Sequence, residues 1–342
     1  MLMSPVTEIP KPDIKAIADS AKTHWVNRAP MGIRPYLQLS RLDRPVGYWL
    51  LALPGWIGLT FAGLSHGLVW TDLIWAVLIL IGSIAMRGAG CTYNDIVDQD
   101  LDAQVERTAL RPLPAGTVTT RQAWTWTFAQ IGVGFLVWLC LPMLAKGIAL
   151  LALPLVAAYP FMKRITWFPQ VWLGMTFNWA VLVAYTAKTG TVSTPLFILY
   201  AGLIFWTVGY DTIYACQDIE DDAMVGIKST ARKFGSKLKL GISIAFALTI
   251  FFTTIAILAE IWNQNSGAII FFWSFFLFTP LGFAAHLMSQ VSKLKTNIDQ
   301  NALSLFKSNI WAAALLILGL IIADLTLHED LTNIVKAVNG NP

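Results

Sequence analysis

An all-α membrane protein built as a bundle of nine transmembrane helices is the fold this sequence predicts, and three observations predict it. The chain of 342 residues is 56% hydrophobic and only 13% charged, with a mean hydropathy of +0.60. Soluble domains average about 25% charged residues. Nine apolar segments follow one another, and 20 of the 24 Lys and Arg fall on one side of them. Such a bias is the positive-inside signature of membrane orientation.

The segments run over 46–65, 69–93, 121–141, 143–161, 168–187, 195–216, 238–260, 267–289 and 307–325. Each approaches the ~20 apolar residues that carry a helix across a ~30 Å hydrocarbon core. Seven cations, from Lys11 to Arg44, precede the first segment. Arg107, Arg111 and Arg121 follow the second, Lys163 and Arg164 the fourth, and Lys228 to Lys239 the sixth. Lys293, Lys295 and Lys307 follow the eighth. Only Lys146, Lys188 and Lys336 lie on the other side, and Arg87 lies inside a segment. The N-terminus and every even-to-odd loop are therefore expected in the cytoplasm. Residues 1–40 read as a cytoplasmic tail whose start is loosened by Pro5, Pro10 and Pro12. Residues 41–326 read as one membrane domain, and 327–342 as a short periplasmic tail.

Several classes drop out. The basic residues are dispersed over short loops, which argues against nucleic-acid binding. Cys91, Cys140 and Cys216 are odd in number and sit in or beside apolar segments, so neither a disulfide framework nor a zinc site is expected. The first 44 residues contain Glu8, Asp13 and Asp19 and no apolar leader core. That pattern excludes a secretory signal and disfavours a mitochondrial transit peptide, so a bacterial inner membrane is the expected location.

The informative residues are acids. Asn94, Asp98 and Asp102 repeat at i, i+4, i+8, which on a continuous helix is a single face. Asp218 and Asp222 repeat the i, i+4 spacing at the cytoplasmic end of a later segment. Two such faces repel unless a cation neutralises them. Mg²⁺ held by a few carboxylates usually also holds a phosphorylated substrate. Asp95, Glu220 and Asp221 point elsewhere on a helix and suit a supporting role. Arg107 and Arg111, again at i, i+4, are placed to clamp phosphate oxygens, and Lys163 is placed to do the same.

Deeper in the bilayer the two motifs echo each other. Arg87 precedes Asn94 by seven residues, and Asp211 precedes Asp218 by seven. Two helical turns are about 10 Å of rise with about 20° of drift, so each charge lies beneath its motif. Charges at that depth usually mark a functional cavity. A structural salt bridge between Arg87 and Asp211 is the alternative. The 15 Trp, 19 Phe and 8 Tyr suffice to line a tunnel that shields a carbocation.

The first motif resembles the NDxxDxxxD signature of the UbiA family of intramembrane aromatic prenyltransferases, and the second resembles that family's DxxxD. Tyr159-Pro160-Phe161-Met162-Lys163 is similar to the family's YxxxK element. Arg41-Leu42-Asp43-Arg44-Pro45, Gly226-Ile227-Lys228-Ser229 and Leu305-Phe306-Lys307-Ser308-Asn309 are similar to the branch that acts on 4-hydroxybenzoate. The resemblance implies a nine-helix bundle with a central cavity open to lipid and to the cytoplasmic side. It implies Mg²⁺-dependent transfer of a polyprenyl group from its diphosphate to 4-hydroxybenzoate, in ubiquinone biosynthesis. It assigns metal binding to Asn94, Asp98, Asp102, Asp218 and Asp222. It assigns substrate contacts to Arg41, Arg107, Arg111, Tyr159, Lys163 and Lys228.

Within that frame Arg87 is expected to hold the acceptor's carboxylate. Asp211 is expected to accept a hydrogen bond from its phenol and to serve the ring proton. No obligate protein partner is expected. Homogentisate, protohaem or a naphthoate as acceptor, and a membrane transporter, are the competing readings.

Overall fold

Residues 24–104, 108–224, 226–262, 269–295 and 299–338 are described by a computed structural model, with side chains described except at 218, 221, 269–280, 299 and 329–338. Among the described residues every regular element is helical. A 3-10 turn (Trp25–Arg28) leads into α1 (Arg34–Leu39). Long apolar runs then form α2 (Val46–His66) and α3 (Asp72–Val97), followed by the short α4 (Gln99–Asp102). A reciprocal capping box between Thr119 and Gln122 satisfies orphan N–H groups at the start of α5 (Thr120–Cys140). The fourth apolar segment is broken into α6 (Met143–Leu151) and α7 (Leu153–Ile165), with Pro154 at the start of α7.

Pro169 opens α8 (Pro169–Thr189), where its missing N–H costs nothing, and Gly190 ends it at φ 68. The Ser193 hydroxyl caps α9 (Thr194–Tyr214) by accepting from the Leu196 N–H at 3.2 Å. Short helices α10 (Ile219–Met224) and α11 (Thr230–Phe234) carry the chain to α12 (Leu238–Trp262), α13 (Ile269–Lys293), α14 (Asp299–Lys307) and α15 (Asn309–Val338).

Seven helical stretches among the described residues are long and apolar enough to cross a membrane, against nine expected. α8 and α13 match the two remaining segments, with 21 and 25 residues, but lie outside the seven. In α8 the reason is polarity. Buried Asn178 donates to Gly174 O at 2.8 Å, Leu203 O at 3.0 Å and Thr207 Oγ1 at 2.7 Å. Packed between α2 and α9, this helix keeps such groups away from lipid.

The main core is shared by α2, α8, α9, α12 and α15 around Ile57, Phe61, Trp206 and Phe246. Small residues let these helices approach. A Cβ on Gly58 would lie 2.5 Å from Val181 O, and one on Gly174 2.9 Å from Ile204 O. Phe128, Phe135 and Leu136 on α5 point outward, as a lipid-facing surface requires. Buried polar pins fix the bundle further. Trp206 Nε1 donates to Asn309 Oδ1 at 2.9 Å, and Asn309 Nδ2 donates to Gln290 Oε1 at 3.2 Å, joining α9, α15 and α13.

On the side that carries the acidic motifs, a second small core joins Leu39, Leu113, Val118 and Ala123. Ser40 Oγ donates to Gln130 Oε1 at 2.9 Å, and Trp126 Nε1 donates to Ser40 Oγ at 2.8 Å. Residues 24–40 thus pack against α3 and α5.

Candidate active site

Two cavities meet at one end of the bundle. The larger, of about 980 Å³, runs between α2, α3, α5, α7 and α8 and is mostly apolar. The smaller, of about 260 Å³, is lined by Asn94, Asp102, Arg111, Lys163, Asp222 and Lys228. Asn94, Arg111, Tyr159 and Asp211 line both, so they form the boundary between an ionic chamber and an apolar one.

The first motif does not present the single face its spacing suggested. α3 stops at Val97, and Asp98 adopts φ −98, ψ 7 before α4 begins. The bonds Asp98 N–H to Asn94 O (2.9 Å) and Asp102 N–H to Asp98 O (2.8 Å) survive, but the chain bends. Asn94 and Asp102 therefore line the smaller cavity, while Asp98 turns inward and is fully buried. There its Oδ2 accepts from Lys163 Nζ at 2.5 Å and its Oδ1 from Arg164 Nη2 at 2.8 Å. Asp95, expected to point elsewhere in a supporting role, is fully buried against the basic residues. Its Oδ1 accepts from Arg41 Nη2 at 2.6 Å and lies 3.3 Å from Arg111 Nη1, which also donates to Asp102 Oδ2 at 2.6 Å. Burial pushes the Asp102 carboxyl above its ordinary range, against the opposing pull of Arg111.

Arg41 lies in the left-handed region at φ 55, which L side chains rarely adopt. Strain of this kind costs of order 1–3 kcal/mol and persists only where the surroundings over-determine it. The ion pair to Asp95 supplies that constraint.

The second motif reaches the site through a stitched loop. The backbone of Asp218 ends the 3-10 turn Ala215–Asp218, and its side chain lies outside the described residues, as does all of Arg107. Asp222 lines the smaller cavity. Arg232 Nη1 donates to Asp222 O at 3.2 Å and to Ile227 O, while its guanidinium lies 5.5 Å from the Trp167 ring centre. The Lys228 N–H donates to Lys163 O at 2.9 Å and its Nζ to Ile165 O at 3.1 Å, bringing the two lysines together.

Arg87 and Asp211 both line the larger cavity. No ion pair of Arg87 is found among the described residues, so a direct salt bridge between the two is not what holds them. Arg87 lies 5.3 Å from the Phe177 ring centre, and its buried Nε has no hydrogen-bond partner among the described residues. Gly47 makes the room, since a Cβ there would lie 2.7 Å from Arg87 Nε. Tyr159, Phe177 and Tyr210 complete the wall around the pair.

The donor set fits a hard divalent cation. The polar groups lining the smaller cavity are oxygen donors and cations, without thiol or imidazole. Among the described residues no three His, Cys, Asp or Glu side chains gather into a metal-holding group. Mg²⁺ characteristically needs only one or two carboxylates when substrate phosphates complete its shell. Sequence reasoning gave Asp95 a supporting role without naming its partners, and gave Arg164 a part in topology alone. No spacing rule signals either, because their partners lie outside their own helices.

A model of the UbiA prenyltransferase family matches residues 50–308. The mitochondrial 4-hydroxybenzoate polyprenyltransferase of Aedes aegypti is 39% identical over 296 residues, covering 85% of this chain and 64% of that protein, just under two thirds. The Bos taurus protein of the same name is 37% identical over 301 residues, covering 88% of this chain and 78% of that one. Among solved structures, the UbiA homolog from Aeropyrum pernix K1 aligns with a TM-score of 0.64 at 23% identity, over 81% of this chain and 98% of that one. The Archaeoglobus fulgidus homolog bound to GPP and Mg²⁺ aligns at 0.60 and 20% identity, over 85% and 99%. At those identities the structures establish a shared fold. The expected bacterial inner membrane is overturned, since these curated relatives are mitochondrial proteins. One-sided cations determine how a chain lies in a bilayer, not which bilayer it occupies. The match over most of the chain, joined to an ionic chamber opening into an apolar one, makes this protein a member of the UbiA prenyltransferase family.

Proposed function

We propose that this enzyme transfers a polyprenyl group from its diphosphate to the ring carbon ortho to the hydroxyl of 4-hydroxybenzoate, with Mg²⁺. The observation that carries the reading is the boundary itself: Asn94, Arg111, Tyr159 and Asp211 line both chambers. A diphosphate suits the chamber bearing Arg111, Lys163 and Lys228, and its apolar chain suits the larger one. The names of the relatives support transfer of a polyprenyl group to 4-hydroxybenzoate and a mitochondrial setting; the place in ubiquinone biosynthesis is part of the proposal.

Asn94, Asp102 and Asp222 would hold Mg²⁺ from the cavity wall, with Asp98 and Asp218 of the same motifs. The ion would neutralise charge that develops on the leaving diphosphate. Arg41, Arg107, Arg111, Lys163 and Lys228 are the proposed phosphate contacts. When the allylic C–O bond breaks, its electron pair leaves with the diphosphate. Tyr159, Tyr210 and Phe177 screen the resulting cation from water.

Arg87, with an unpartnered Nε in the larger cavity, holds the acceptor's carboxylate. Asp211 accepts the hydrogen bond of the phenol and raises electron density at the ortho carbon. That carbon bonds to the allylic terminus, and Asp211 or a water it holds takes the displaced ring proton. Such proton roles contribute about 10²–10⁴ in rate, and orientation contributes more.

The test is purified protein in detergent with geranyl diphosphate, Mg²⁺ and 4-hydroxybenzoate, scored by mass spectrometry. The expected product is 3-geranyl-4-hydroxybenzoate, lost with EDTA and in Asp98→Asn or Asp218→Asn. Product with homogentisate or a naphthoate instead would sink the acceptor assignment and keep the reaction class.

A further inference from the structure

We propose that Lys163 and Arg164 form a counter-ion lock on Asp98, released when a diphosphate takes the two cations over. The inference rests on the diphosphate reading above and goes on to how metal and donor bind. Its basis is an asymmetry of burial. The Asp98 side chain is fully buried, whereas those of Lys163 and Arg164 are 26% and 44% exposed. The acid is the fixed partner and the cations are the movable ones.

Both oxygens of Asp98 are engaged, Oδ2 by Lys163 at 2.5 Å and Oδ1 by Arg164 at 2.8 Å. Asp102 and Asp95 are held in the same manner by Arg111. A bare divalent cation approaching this motif must displace ammonium and guanidinium groups from their carboxylates. It also leaves two uncompensated positive charges beside its own. A diphosphate removes both penalties, because its oxygens are stronger partners for Lys and Arg. Lys163 has a place to go, since it lines the smaller cavity with Lys228 and Arg111.

Metal and diphosphate therefore bind as a coupled pair, each raising the affinity for the other by the same factor. The lock also compensates the buried charge of Asp98, so the motif holds its shape without relying on bound metal. Arg164 acts as a positioning residue: it governs when Asp98 is available, and Lys163 combines that role with phosphate contact.

The experiment measures Mn²⁺ binding by electron paramagnetic resonance on the full chain in detergent. Titrations run with and without inorganic diphosphate at matched free Mn²⁺. For the unmodified protein, diphosphate is expected to tighten Mn²⁺ binding at least fivefold, within the usual range of about 5–150-fold for coupled sites. Arg164→Gln is expected to tighten Mn²⁺ binding in the absence of diphosphate and to shrink the enhancement. Arg164→Lys is expected to restore the original behaviour. Equal Mn²⁺ affinity with and without diphosphate in the unmodified protein overturns the proposal. So does a folded Arg164→Gln protein whose affinity for Mn²⁺ alone is unchanged or weaker. If Arg164→Gln does not fold, Lys163→Gln carries the same comparison, since it frees the other oxygen of Asp98. Normal coupling with no prenylated product would count against the function reading alone, and no Mn²⁺ binding in any arm would overturn both.

Discussion

Arg41 and Asp95 are 54 positions apart in the chain and 2.6 Å apart in the fold. The pair ties the segment before α2 to the last turn of α3, and it holds Arg41 at φ 55. It converts a leading segment into one wall of the site, because Arg41 and Asp95 both line the larger cavity.

Asp95→Ala should therefore act on stability as well as activity. It leaves buried Arg41 without its carboxylate, a change that costs about 3–5 kcal/mol in comparable buried pairs. Thermal unfolding in detergent should show a clear drop in Tm. An unchanged Tm would mean that the pair forms without supporting the fold.

Gly47→Ala tests the acceptor pocket without removing a polar group. The added Cβ would sit 2.7 Å from Arg87 Nε and 3.2 Å from Nη2, so Arg87 must move. The expected result is a raised KM for 4-hydroxybenzoate with kcat and the KM for the prenyl donor little changed. Arg87→Ala should raise the same KM further, by about 10- to 100-fold, the worth of a hydrogen bond to a charged group. A loss of stability with acceptor KM unchanged would reassign Arg87 to a structural role.

Asn94→Ala and Asp222→Asn remove oxygen donors from the smaller cavity. Each should shift the Mg²⁺ titration of activity to higher concentration by about tenfold or more, with little change in Tm. Chelation should abolish activity in every variant and added Mg²⁺ should restore it. A variant that loses activity at saturating Mg²⁺ with an unchanged titration midpoint would not be acting through metal.

Asn309→Ala is a control outside the two acidic motifs. It removes the acceptor of Trp206 Nε1 and the partner of Gln290, both buried. Leaving buried donors unsatisfied costs about 1–3 kcal/mol each. The Tm should fall while the Mg²⁺ dependence and acceptor KM stay as they were.

Much of the architecture was legible because a bilayer constrains composition so strongly. The apolar runs behind α2, α3, α5 and α9 are long and almost uncharged, so their positions could be read directly. α8 was legible as an apolar segment, yet it carries Asn178 and falls outside the stretches apolar enough to cross unaided. Helix spacing also paired Asn94 with Asp102 correctly on one cavity wall. It failed for Asp98, where one bent residue between α3 and α4 turned the carboxylate toward Lys163 and Arg164. It set Asp95 off that wall in a supporting place but could not name its partner, Arg41, which comes from a segment before α2.

By itself the sequence determined that the chain is a helical membrane protein and which family its motifs belong to. These follow from local rules: apolar length, cation bias and spacing along one helix. Only the tertiary structure decided which acid meets which base, and that Arg87 and Asp211 share a cavity wall without a salt bridge to each other. Those relations join residues far apart in sequence, and helix packing, to which spacing along a single helix is blind, brings them together.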